Sequence, residues 1–88
     1  MFDSAIELEK DRFFMRLSTI PGLRPLPSIG DWILLEVSDP SDLARRVNRR
    51  MAPGVLSVPR GMERTVRVHV GDPKDNEAVL MTLRDLVA

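Results

Sequence analysis

The 88-residue chain offers few side chains able to do acid–base or nucleophilic chemistry. It has one histidine, His69, two lysines, Lys10 and Lys74, no tyrosine and no cysteine. Without cysteine there is no thiolate nucleophile, no thiolate metal site and no disulfide. His69 has no second histidine with which to share a metal and no evident nucleophile to activate, so it reads as a solvated strand histidine. Lys10 falls on a helical stretch and Lys74 in the first turn of another, and both read as exposed. The catalytic and metal-ligating sets are therefore empty. The densest charged feature is Arg45-Arg46-x-x-Arg49-Arg50, a local positive patch. It reads as a solvated helix face, with Asp42 spaced to pair with Arg45 or Arg46. No aromatic interleaves with it, which argues against a stacking platform for single-stranded nucleic acid. The glycine-containing loops form neither a G-x-G-x-x-G nor a P-loop pattern.

These residues must be positioned by a small set of elements. Ser4-x-x-Glu7 has capping-box spacing. After it Ile6, Phe13, Leu17 and Ile20 recur at helical intervals, with Phe14 beside them, which predicts a helix over 4–19. Pro21-Gly22 ends it. Residues 23–30, with two prolines and a glycine, read as an extended connector. Trp32 to Val37 is apolar except for Glu36 and predicts a strand covered on both faces, or nearly so. Asp39-Pro40 starts a second helix, with Asp39 as N-cap and Pro40 at the first helical position, and Leu43, Val47 and Met51 form its buried stripe. Pro53-Gly54 closes it. Val55 to Val58 is a short strand. Arg64 to Val70 then alternates, with Val66, Val68 and Val70 on one face and Thr65, Arg67 and His69 on the other. Asp72-Pro73 repeats the helix-start device, and Val79, Leu80, Leu83, Leu86 and Val87 stripe the last helix. The order is α-β-α-β-β-α. An α+β, two-layer sandwich with the helices on one face of a small sheet buries every stripe.

Composition agrees with one soluble domain over residues 1–88: 43% hydrophobic and 30% charged residues suit a packed core. The 13 basic and 13 acidic residues cancel, against a generally basic nucleic-acid binder. The acidic start Met1-Phe2-Asp3-Ser4-Ala5-Ile6-Glu7 lacks the layout of a secretory signal. No apolar run nears the ~20 residues needed to cross a bilayer. The expectation is a cytoplasmic protein with no membrane and no nucleic-acid partner.

Four stretches in order carry a resemblance. They are Ile20-Pro21-Gly22-Leu23-Arg24-Pro25-Leu26-Pro27-Ser28, Trp32-Ile33-Leu34-Leu35-Glu36-Val37, Pro53-Gly54-Val55-Leu56, and Val66-Arg67-Val68-His69-Val70-Gly71 followed by Asp75-Asn76-Glu77. From about residue 10 onward the chain resembles the C-terminal small domain of fold-type I, pyridoxal-phosphate-dependent aminotransferases, and most of all the histidinol-phosphate aminotransferase branch. The resemblance implies that Arg67 binds a substrate carboxylate, a task that suits the planar, two-pronged guanidinium. It implies a second arginine for a substrate phosphate just after the third stretch. The strict match there is Val58, and Arg60 lies two residues further on. Asp31 stands where the family has Asn, and Trp32 where it has Phe. Without the resemblance, Arg67 reads as an exposed strand arginine paired across the sheet with Glu36 or Asp31.

The resemblance implies pyridoxal phosphate for the parent enzyme and none in this chain, because the Schiff-base lysine, the aspartate on the pyridinium nitrogen and the phosphate loop belong to a large domain. Two accounts follow. In one, the chain is the lid half of an aminotransferase, inactive alone. In the other, it is a free-standing, non-enzymatic binding or interaction module of transaminase ancestry, taking a small anion or another protein. The helix start at Ser4, just after Met1, suits a domain boundary in either. Both accounts predict a homo-oligomer or a large-domain partner, because the face that packs against the large domain would otherwise be uncovered.

Overall fold

Helices α2 (Pro40–Arg50) and α3 (Pro73–Val87) begin where the sequence supplies an Asp-Pro cap. The computed structural model describes the backbone of residues 4–87 and the side chains of residues 7–87. The Ser4–Glu7 capping box and the Ile6 position of the first stripe therefore lie outside the described side chains. Helix α1 spans Ser4–Leu17, two residues short of the predicted end. Ser18 and Thr19 stop it, because their hydroxyls donate to the carbonyls of Met15 and Arg16 and the Ile20 amide closes a tighter turn on Leu17. Helix α2 spans Pro40–Arg50 and is capped by Asp39, whose carboxylate accepts the Asp42 amide at 3.2 Å. Helix α3 spans Pro73–Val87, and Asp72 accepts the Asp75 amide at 2.9 Å. Both Asp-Pro starts thus work as N-caps.

Four strands make one antiparallel sheet: β1 (Arg24–Leu26), β2 (Trp32–Glu36), β3 (Leu56–Ser57) and β4 (Thr65–His69), in the spatial order β1-β2-β4-β3. The predicted order holds with one addition, because the stretch read as connector contributes β1. That strand is short and lies at the edge, where Pro25 needs no amide for the ladder. Ser28 secures it: its hydroxyl donates to the Leu26 carbonyl and accepts the Leu34 amide. At the other edge the Asn48 amide group of α2 bonds both backbone groups of Leu56, at 2.8 and 2.9 Å, and takes the place of a further strand.

The helices share one face of the sheet. Phe13 and Leu17 of α1, Val47 of α2 and Leu80 and Leu83 of α3 meet Ile33, Leu35, Leu56, Val66 and Val68, all within 2% of full burial. The alternation predicted for β4 holds for Val66, Val68 and Val70. Thr65 departs from its predicted polar face, because the 58–64 loop covers it and its hydroxyl donates to the Met62 carbonyl. Strand β2 also departs from the expected two-sided cover. Ile33 and Leu35 are buried, but Trp32 is 40% exposed and Leu34 half-buried. Among the described residues no element packs on that second face, so the strand is covered on one side only.

Candidate functional site

The open face of the sheet places Arg67 at its centre. Register sets Arg67 opposite Leu34 on β2 and opposite Ser57 on β3, and sets Trp32 opposite His69. The Arg67 side chain lies over the indole of Trp32, with the guanidinium carbon 4.6 Å from the ring centre. Its Nε donates to the Ser57 hydroxyl at 3.3 Å. Stacking on an indole face contributes about 0.5–1 kcal/mol at an exposed site and holds the guanidinium flat. Trp32, Gly54, Ser57, Arg67 and His69 line a depression of about 230 Å³ around it.

The expected cross-sheet pairing of Arg67 does not form. Glu36 faces Thr65 and pairs with Arg24 at 3.6 Å, and no ion pair joins Arg67 to Asp31. Among the described residues, Arg12, Arg16, Arg24, Arg45, Arg46 and Arg50 are ion-paired. Of the remaining arginines, Arg49, Arg60, Arg64 and Arg84 are exposed and Arg67 alone is half-buried. Half-burial of a cation with no carboxylate beside it is costly unless something else meets the charge. That leaves the outer edge of the Arg67 guanidinium as the positive group on this face that is positioned but not neutralised.

The other singled-out residues fall elsewhere. Arg60 sits exposed on the 58–64 loop and does not line the depression. His69 does line it, one strand from Trp32, and is exposed. The α2 arginines form the solvated face expected, with Asp42 bridging both Arg45 at 2.6 Å and Arg46 at 3.1 Å. Lys10 differs from the expected exposed amine: it is half-buried, and its ammonium donates to the carbonyls of Ser28 and Gly30, each at 2.7 Å. Lys74 is exposed in the first turn of α3. Neither fits a pyridoxal phosphate site, since one amine is spent on two backbone carbonyls and the other has no built surroundings. Among the described residues, no three His, Asp or Glu side chains gather as metal ligands, and no helix is long and apolar enough to cross a membrane.

Asn76, in the stretch that resembles the family's last-helix start, is 1% exposed. Its carbonyl accepts the Gly71 amide at 2.8 Å, and its amide donates at 2.9 Å to both the Gly71 carbonyl and the Glu9 carboxylate. It fastens the β4–α3 turn to α1 and so fixes where β4 ends beyond His69. Neither Ser57 nor Asn48 stands in a motif or spacing that marks it in the sequence. Ser57 could be found only by aligning the β3–β4 hairpin, which puts it opposite Arg67.

No protein-family model matches this chain, and no curated protein matches its sequence. Solved structures share its fold. A decarboxylase from Sulfurospirillum multivorans superposes with a TM-score of 0.79 at 17% identity, over 92% of this chain and 25% of that one. Histidinol-phosphate aminotransferase from Sinorhizobium meliloti, in complex with pyridoxal-5'-phosphate, superposes with a TM-score of 0.70 at 17% identity, over 96% of this chain and 24% of that one. The chain spans about a quarter of the length of the structures it matches. The likeness is one of fold, and the small-domain-like fold expected from the sequence is the fold observed.

Proposed function

We propose that this chain serves as the small domain of a pyridoxal-phosphate-dependent enzyme, aminotransferase-like in type. In this reading it closes over a cofactor held by a large domain and presents Arg67 to the carboxylate of the substrate. Its cytoplasmic setting and its partner, a large domain or a second copy of the chain, belong to the same proposal. The observation that carries it is the half-buried, un-neutralised Arg67 on the uncovered face, held by Trp32 and Ser57. A planar guanidinium fixed in this way can give two parallel hydrogen bonds to a carboxylate. The fold likeness to two enzymes supports the reading, one of them complexed with the cofactor. In this reading the large domain holds the cofactor, and the part of this chain's residues is to bind and orient a carboxylate and to exclude water.

An amide-resolved NMR titration with acetate tests the site. A charged pair contributing about 3 kcal/mol gives a Kd on the order of 10 mM. Saturable shifts at residues 32, 57 and 67–69 in the wild type, absent in Arg67→Ala, are the expected result. Equal weak shifts in both proteins defeat the reading. Pyridoxal phosphate with borohydride provides a second check: saturable attachment at one lysine would show that the chain holds the cofactor alone.

A further inference from the structure

We infer that the Arg67 depression is one end of a longer trough whose far compartment takes an apolar body, so that the ligand class is a monocarboxylate with a ring or branched chain. This rests on the carboxylate reading of Arg67 above. Beside the depression lies a second cleft of about 430 Å³, between the 51–55 turn after α2 and the start of α3. The two share Gly54 and His69 as walls. A molecule anchored at Arg67 and passing His69 therefore enters the second cleft. Both volumes together fall in the range of small-molecule sites.

The walls of the far compartment decide what it takes. Met51, Ala52, Pro53 and Val55 bring apolar atoms to it, Met51 and Val55 half-buried and the other two exposed. Asn76 also lines it, but both amide hydrogens are committed to Gly71 and Glu9, so it has no donor to offer a polar group. Asp75 is the one charged side chain there. Its carboxylate disfavours a second anionic end through like-charge repulsion. A dicarboxylate or a phosphate ester is thus a poorer match than a molecule with one carboxylate and an uncharged apolar body. The Gly54 shared by both compartments has φ +84, and apart from its chain neighbours no heavy atom lies within 4 Å of where its Cβ would stand.

Trp32 is the only tryptophan and lies against Arg67, so its fluorescence reports occupancy directly. Titrations with acetate, 3-phenylpropionate and glutarate, in the wild type, Arg67→Ala and Asp75→Asn, test the inference. The expected result is at least tenfold tighter binding of 3-phenylpropionate than of acetate, glutarate no tighter than acetate in the wild type but tighter in Asp75→Asn, and loss of all three in Arg67→Ala. Acetate and 3-phenylpropionate binding equally, or glutarate matching 3-phenylpropionate in the wild type, overturns the trough while the Arg67 reading stands. No binding of any of the three, or equal binding of 3-phenylpropionate to Arg67→Ala, overturns the Arg67 reading and the trough with it. Amide NMR spectra of the variants confirm that each is folded.

Discussion

Asn76 shows how much one polar side chain can hold in a chain without cysteine. It is buried, and its three hydrogen bonds satisfy Gly71 on both sides and reach Glu9 across 67 positions of sequence. Asn76→Ala leaves those groups unpartnered, and the cost is about 2–4 kcal/mol, read as a lower urea midpoint with an unchanged m-value. Glu9 adds a pH dependence. The hydrogen bond from Arg12 first, and that from Asn76 next, hold its carboxyl below its ordinary value of 4.5. A group whose folded value is lowered stabilises the fold above the unfolded value. That contribution is complete above pH 4.5, and it is lost as pH falls from there through the folded value. Urea midpoints measured from pH 7 to pH 3 should therefore fall less steeply for Glu9→Gln than for the wild type. Asn76 and Arg67 both stand in stretches picked out by family resemblance, but their partners were hidden. Ser57, Trp32 and Glu9 come to them through strand register and helix packing, which no local spacing encodes.

At the scale of elements, the strongest local signals held. Asp39 and Asp72 stand immediately before proline, where a free carboxylate can take an amide that the new helix leaves unpaired. Each accepts the amide three residues on, at 3.2 Å and 2.9 Å. Asp39→Ala and Asp72→Ala should each cost about 1 kcal/mol. In a chain of this size that is a fall in Tm of about 4–8 °C for each, measurable by circular dichroism melting. The β1 strand was not legible, because three residues with a central proline show no alternation and owe their conformation to pairing with β2. The one-sided cover of β2 is hidden in the sequence for a related reason. An unbroken apolar run looks the same whether its second face is covered within the chain or by something outside it. Leu34 and Trp32 are apolar as a two-sided strand requires, yet the helices reach only the other side.

For the whole molecule, that uncovered face is the feature that must be accounted for. Leu26 and Leu34 stand opposite each other on it, with Trp32 on the same face of β2, and Val58 and Met62 are exposed on the segment joining β3 to β4. Apolar area of this kind, next to a cation that nothing neutralises, favours association with a complementary surface. In the proposed setting that surface is a large domain. In its absence a second copy of the chain is the available substitute, and two copies facing each other would bring two Arg67 cations together. Such a dimer gains apolar burial but suffers like-charge repulsion, so it should be weak and strengthened by salt, the reverse of a pair held by opposite charges. Sedimentation velocity over a range of protein concentrations should show monomer shifting to dimer, with the shift moving to lower concentration as salt is raised. Leu34→Lys, a half-buried position on the open face, should keep the fold and remain monomeric throughout. A wild-type monomer at every concentration and salt level would show that this face tolerates water, and the need for a partner would disappear.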